Sequence, residues 1–249
     1  MPAEPTRPGA PAEPGGPGEP TGSHVPGDYG HGILGRLTAY LYWLVVVTVL
    51  LVLTVLPTLV LAALLDRSTA NIGLVVLAAI PVGPALSAAL YATRDRERSE
   101  GLTPARSFWR GYRQNWADVL RIWVPALVVL AIVAYVVANA GAAGVSGLHA
   151  VVLLVVAAVV LTLALHAVAI VSFYNFRVRD VVRLSAYYLG RFPLVTLGVV
   201  SLLVVAGAVV WFLSEAGLAL LGGVWVVFWY RNDARMLDEV RDRFTTTPA

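Results

Sequence analysis

The chain has 249 residues, 58% of them hydrophobic and only 13% charged, where soluble domains carry about 25% charged residues. No cysteine is present, which excludes disulfides, thiolate nucleophiles, CxxC redox chemistry and Cys-based zinc sites. All 18 basic residues are arginine and the net charge is +3, so the placement of the charges is more informative than their sum. The mean hydropathy of +0.76 makes the bilayer the expected solvent.

Residues 1–30 form a separate region. Proline recurs at 2, 5, 8, 11, 14, 17 and 20. Polyproline II has three residues per turn, so these rings would line one side of an extended helix. The segment has few apolar residues and reads as a disordered cytoplasmic tail. It lacks the basic start and apolar run of a signal peptide. Two readings are open for it, a solvated tail and a ligand for a proline-binding domain.

Six apolar segments follow: 38–65 with Pro57 inside it, 71–92, 119–140, 149–173, 193–213 and the short 216–230. Each is continuously apolar rather than alternating, so each is expected to be a helix and not a barrel strand. The expected fold class is all-α: a polytopic membrane bundle of six transmembrane helices with two amphipathic cytoplasmic helices. Its boundaries are a tail over 1–30, a transmembrane domain over 31–231 and a short cytoplasmic tail over 232–249.

Arginine placement sets the expected orientation. Every arginine but Arg67 falls in the N-terminal tail and its junction, in the connections after the second and fourth spans, or at the C-terminus. Cytoplasmic loops carry the arginine excess, so both termini are expected on the cytoplasmic side of a bacterial plasma membrane. The run "RDRERSE" after the second span then acts as an anchor that keeps that helix end in water. Tyr40, Trp43, Tyr91, Trp116, Tyr174, Tyr188 and Trp229 lie near the same ends, as an interfacial belt should.

Two stretches read as amphipathic. In "LTPARSFWRGYRQNWADVLRIW", residues 102–123, Thr103 can cap and Pro104 suits the first helical position. Phe108, Tyr112 and Trp116 recur at spacing four, with Arg106, Arg110 and Arg113 on another side. This predicts a helix along the membrane surface that turns upward near Val119. In "YNFRVRDVVRLSAYYLGRFP", residues 174–193, Arg179 and Arg183 are four apart. The five arginines at 106, 110, 113, 179 and 183 are the candidate contacts for membrane lipid or for a cytoplasmic partner.

The second span carries Pro81, Gly83 and Pro84 at its centre. The two prolines lack N–H groups and crowd the carbonyls of Leu77 and Ile80. One reading is a bend for packing, with Ala85, Ala88, Ala89 and Ala92 letting a neighbour approach. The other is a discontinuous helix whose freed backbone binds a solute. Ionisable residues deep in the spans would favour the second. His166 is the one expected there, either as a proton gate or as a neutral histidine bonded to a backbone carbonyl or a neighbouring hydroxyl. His149 is about 25 Å away along the same helix and cannot share a metal with it. No GxSxG, HExxH or phosphate loop is present, so no catalytic residue, cofactor or metal site is expected, and no nucleic-acid partner.

The stretch "ILGRLTAYLYWLVVVTVLLVLTVLPTLVLAALL" followed by "IPVGPALSAALYATRDRERSEGLTPARSFWRGYRQNW" resembles the YesL-like integral membrane proteins of bacteria. Gly35-Arg36-Leu37, Gly83-Pro84-Ala85, Ala89-Leu90-Tyr91 and then Phe108, Tyr112 and Asn115 carry the likeness. "VRDVVRLSAYYLGRFPLVTL" resembles the later cytoplasmic helix and span, so the likeness covers residues 33–230. It implies a five- or six-helix bundle without a defined activity. Genes of this kind often lie beside those for carbohydrate ABC transporters and glycoside hydrolases. The resemblance therefore implies a non-enzymatic accessory protein of carbohydrate uptake that contacts transporter subunits. A small-solute transporter or channel using the Pro81–Pro84 break is the alternative.

Overall fold

A computed structural model describes residues 33–66, 68–98, 103–141 and 146–244. The proline-rich tail with Arg7, His24 and His31, and Arg67 in the first connection, lie outside the described residues. Two compact units are distinguished, Met1–Thr38 and Ala39–Ala249. Within the first, Thr38 donates its hydroxyl to the Leu34 carbonyl (3.0 Å) in the opening turns of a helix. Everything below concerns the second unit.

The described residues are helical without a strand: α1 (Ile33–Leu64), α2 (Ile72–Ala78), α3 (Val82–Arg98), α4 (Pro104–Ala138), α5 (Gly147–Phe173), α6 (Val178–Arg191), α7 (Pro193–Phe212), α8 (Glu215–Leu220) and α9 (Gly222–Phe244). Five stretches are long and apolar enough to cross a bilayer: α1, α2 with α3, α4, α5 and α7. Their outward faces carry Val45, Val49, Leu53, Val152, Val155, Val204 and Val205, all exposed. Soluble monomers rarely show so continuous an apolar surface. The chain is a multi-pass membrane protein.

The sixth apolar segment, 216–230, is divided between α8 and α9 at Leu221. It nonetheless runs antiparallel to the first half of α7. Asn232 donates to the Val195 carbonyl (2.8 Å) and Trp225 to the Leu202 carbonyl (3.1 Å), so seven residues along α9 match seven along α7 in the opposite sense. Gly198 makes room for this pairing, because a Cβ there would collide with the Asn232 side chain. α9 does not stop at the end of the apolar run. Met236, Leu237 and Val240, within the expected C-terminal tail, are buried on its continuation.

The longest helix is α4, with 35 residues and Pro125 inside it. The expected turn near Val119 is absent. The reason is a continuous antiparallel seam with α3. Trp123 bonds Ala79, Asn115 bonds Ser87, Gly111 packs on Tyr91 and Ser107 bonds Asp95. Each step of four or eight residues along one helix is matched by an equal step along the other. Such a ridge of residues four apart is how two helices interlock, and it leaves no place for α4 to bend away. The first amphipathic stretch is therefore the lower half of α4, not a separate helix on a membrane surface. Phe108 is buried in the protein rather than turned to lipid. The second is a separate helix, α6, which buries Val181, Ser185 and Tyr188 along one face.

The core lies toward one end of the molecule. Residues 164–172 of α5 are buried on all sides, whereas most of 147–161 is exposed or half-buried. That buried end is enclosed by α3, α4, α6 and α9. Ala85, Ala88 and Ala89 of α3 have no exposed surface, so α3 is the central helix there.

Candidate functional site

At the proline break the helix stops at Ala78 and resumes at Val82. Its polar backbone is partnered from outside. The Ala78 carbonyl accepts the Thr58 hydroxyl, and the Ala79 carbonyl accepts the Trp123 indole N–H (3.0 Å). The Ile80 N–H turns back to the Leu77 carbonyl (3.3 Å), the acceptor that Pro81 leaves without its helical donor. Gly83 and Pro84 are buried, and a Cβ at Gly83 would lie 2.5 Å from the Trp123 ring. Glycine is required here because the indole rests on its backbone. Trp123 thus closes the break with a ring and satisfies it with a hydrogen bond.

The predicted arginines divide into two groups. Arg106, Arg110 and Arg113 come together, lining an open groove of about 560 Å³ with Trp109 and Gln114. All three arginines are exposed. Arg179 and Arg183 are also exposed but stand on α6, away from this groove. No charged residue follows Arg121 in α4, so the apolar part of that helix begins at Ile122. At 1.5 Å per residue, Arg113 to Arg106 stand about 12 to 22 Å beyond Arg121 along the helix axis. The lower halves of α3 and α4 form a hairpin, with the arginine groove on α4.

Behind the groove the hairpin is tied to α5. Ser172 donates to Ser87 (2.7 Å), while Asn115 donates to Ser87 (3.3 Å) and to the Ser172 carbonyl (3.1 Å). Below this knot, the Arg94 guanidinium donates to the Phe173 carbonyl (3.4 Å) and lies 4.7 Å from the Phe173 ring. Tyr174 donates to the Leu237 carbonyl (2.8 Å), joining the end of α5 to α9. Burial pushes the Tyr174 phenol above its ordinary range, against the opposing pull of Arg94.

His166 meets a partner that sequence reasoning missed. Its Nδ1 lies 3.2 Å from Oδ2 of Asp233, and neither residue has exposed surface. The same Oδ2 accepts the Trp229 indole N–H (3.1 Å), and Oδ1 accepts from Asn232 (3.0 Å). His166 is thus neither alone among ionisable groups in the core nor bonded simply to backbone. Asp233 falls in "YRNDARMLDEVRDR", which reads as a solvated charged end. A signal was nevertheless present: Trp229, Asp233, Met236 and Val240 follow spacings of four, three and four, the stripe of a buried helix face. His166 Nε2 is buried without a hydrogen-bond partner among the described residues. No group of three or more metal-ligating side chains occurs among them either.

No curated protein and no solved structure matches the chain. Residues 37–136 match the model of a family described as "Protein of unknown function, DUF624", a stretch running from α1 through nearly all of α4. The match takes in the proline break, its Trp123 plug and the arginine groove, and leaves His166 and Asp233 outside.

Proposed function

We propose that this chain is a non-enzymatic accessory protein of the bacterial plasma membrane, with both termini cytoplasmic, that docks a partner through the α3–α4 hairpin. The observation that carries the reading is the groove of Arg106, Arg110, Arg113 and Trp109 on α4 of that hairpin. Headgroups add roughly 5–7 Å to each face of the hydrocarbon layer. An arginine 12 to 22 Å along the axis from the last charged residue of the apolar belt stands largely past that zone, where a protein surface is a better match than lipid. Arg179 and Arg183 on α6 extend the basic surface on a second helix. The resemblance to YesL-like proteins, and through it to genes for sugar uptake, suggests subunits of a carbohydrate transporter as the partner.

Affinity capture in mild detergent tests this reading. The wild-type chain is expected to retain transporter subunits, and the triple variant Arg106→Glu/Arg110→Glu/Arg113→Glu to lose them. Recovery of no subunit, together with undiminished sugar uptake in a deletion strain, would reject it.

The second reading is a small-solute transporter or channel. The proline break supports it less well, since Thr58, Trp123 and the Ile80 N–H occupy the carbonyls of Ala78, Ala79 and Leu77. The buried His166–Asp233 pair supports it better, because ionisable groups within membrane bundles commonly mark pathways. Flux of sugars or ions in reconstituted vesicles, lost on His166→Gln, would favour this reading over the first.

A further inference from the structure

We propose that the cavity where α3, α9 and the end of α5 meet is a binding site for a phosphate monoester, with Arg94 and Arg98 as the residues that hold it. The site shares no residue with the α4 groove, so the inference stands whether or not the chain docks a partner.

The cavity holds about 270 Å³. Arg94, Glu97 and Arg98 face it from α3, and Tyr230, Asp238 and Arg241 face it from α9. Phe173 and Tyr230 meet edge to face between the two helices, with 5.9 Å between ring centres. Three guanidiniums against two carboxylates leave the lining one positive charge in surplus.

The polar groups of the lining differ in what they have left to offer. Glu97 is engaged by the Tyr230 hydroxyl, and Asp238 pairs with Arg241 at 3.3 Å. The Tyr174 hydroxyl is committed to the Leu237 carbonyl (2.8 Å). The donors are not used up. A guanidinium has five N–H groups and accepts nothing. Arg94 gives one to the Phe173 carbonyl (3.4 Å), and Arg98 makes no ion pair or hydrogen bond among the described residues. These two arginines stand one helical turn apart and repel each other. An anion held by both would turn that repulsion into attraction.

The surplus of donors selects the kind of anion. A carboxylate brings two oxygens and a single charge. A phosphate monoester brings three free oxygens and a charge of about −1.5 to −2 at neutral pH, and arginine forks grip phosphate two bonds at a time. One such group can therefore serve Arg94 and Arg98 together. Arg94 is already in position, 4.7 Å from the Phe173 ring centre and 5.6 Å from that of Tyr174, so little ordering remains for it on binding. Arg98 is exposed beside it and can turn onto the ligand. The cavity lies at the level of the α5–α6 connection, within reach of a lipid headgroup and of a soluble ester alike.

The full chain in phosphatidylcholine nanodiscs tests the proposal with one probe for each source. Glycerol 3-phosphate, followed by equilibrium dialysis, is the soluble monoester. Phosphatidic acid added to the nanodisc, and followed as a retained adduct in native mass spectrometry, is the lipid monoester. Saturable binding of one molecule per chain is expected for at least one probe, weakened about tenfold or more in Arg98→Gln. Binding of glycerol 3-phosphate assigns the site to soluble esters, and binding of phosphatidic acid alone assigns it to a headgroup. Arg98 is exposed and bonds no other element, so this variant keeps the fold. Arg235→Gln removes the same charge from an exposed position of α9 outside the cavity and is expected to bind as the wild type does. Binding of neither probe would overturn the proposal. So would binding that Arg98→Gln leaves intact, or an equal loss in Arg235→Gln, which would reduce the effect to general charge.

Discussion

At the scale of single residues, two side chains define how tightly this bundle is built. Gly83 has the Trp123 ring where its own Cβ would be, at 2.5 Å, and that indole also bonds the Ala79 carbonyl. An added methyl must displace a large, doubly held ring, and overpacking of this kind costs about 1–3 kcal/mol. Gly83→Ala is therefore expected to lower the thermal midpoint in detergent, measured by fluorescence-detected size exclusion after heating. Gly73, with open space around it, should accept the same change without such a clash. Tyr188 is the opposite case. It is fully buried, and its hydroxyl has no hydrogen-bond partner among the described residues. Tyr188→Phe removes a buried hydroxyl that gains nothing, so stability in the same assay should be unchanged or higher by up to about 1 kcal/mol. Tyr174 and Tyr188, both outside the spans, also give a pH dependence. Burial pushes Tyr174 and Tyr188 above their ordinary range. The folded state then holds these protons more tightly than the unfolded chain, whose phenols ionise near pH 10. Their contribution is fully present below about pH 10 and is lost as pH rises through the folded values. Melting curves between about pH 9 and 11.5 should fall in midpoint with rising pH, and less steeply in Tyr188→Phe.

Between helices, the decisive feature is register. The α3–α4 seam holds from Ala79–Trp123 down to Asp95–Ser107, and Ser172 of α5 joins it at the level of Ser87 and Asn115. With the hydroxyls of Ser87 and Ser172 2.7 Å apart, two cysteines there should meet the geometry of a disulfide. The natural absence of cysteine makes the test clean. A protease site placed in the connection 99–102 allows the α1–α3 fragment to be cut from the rest. In Ser87→Cys/Ser172→Cys the fragments should run together on a non-reducing gel and part on reduction. Those of Ser87→Cys/Ser201→Cys, with the second position exposed on α7, should separate without reductant. The apolar segments and the amphipathic character of 102–123 were legible in sequence, since both are local patterns of hydropathy. The seam was not, because its members, Ala, Trp, Ser, Gly, Asn, Tyr and Asp, share no hydropathy pattern, and no such signal marks residues chosen for mutual fit. Asp233 was hidden for a related reason. It lies 67 residues from His166, and Arg231 and Arg235 flank it two residues to either side. Only the spacing of Trp229, Met236 and Val240 shows that this charge belongs to a buried face. The proline break was visible at once, whereas its plug, 44 residues from Ala79, depended on the register of α4.

For the molecule as a whole, the proposed parity of crossings turns on how the last two helices return. α7 is a span by length and hydropathy, and α8 with α9 is not among the spans found by those measures. Yet Trp225 and Asn232 bond α7 at Leu202 and Val195, so the start of α9 runs back along the first half of α7. A segment that retraces a spanning helix returns its chain to the side where that helix began. Tyr174, at the end of α5, bonds Leu237, which puts the C-terminal part of α9 at the level of the α5–α6 connection. Arg94 reaches the Phe173 carbonyl at the same level, so the arginine-rich ends of α3 and α9 lie at the same end of the bundle as the end of α5. The arginine excess makes that end the expected cytoplasmic one, as proposed above. Single cysteines in the cysteine-free background read this out directly with a membrane-impermeant maleimide on intact cells. Ser68→Cys, Ser146→Cys and Ser214→Cys, in the connections at the opposite end, should label from outside. Arg98→Cys, Arg177→Cys and Asp242→Cys should label only after the membrane is opened. Labelling of Asp242→Cys together with Ser214→Cys in intact cells would mean that α9 does not return across the bilayer. The His166–Asp233 pair would then lie in a bundle whose last helix lies flat against the membrane, and the pairing of Asn232 with Val195 would have to be abandoned.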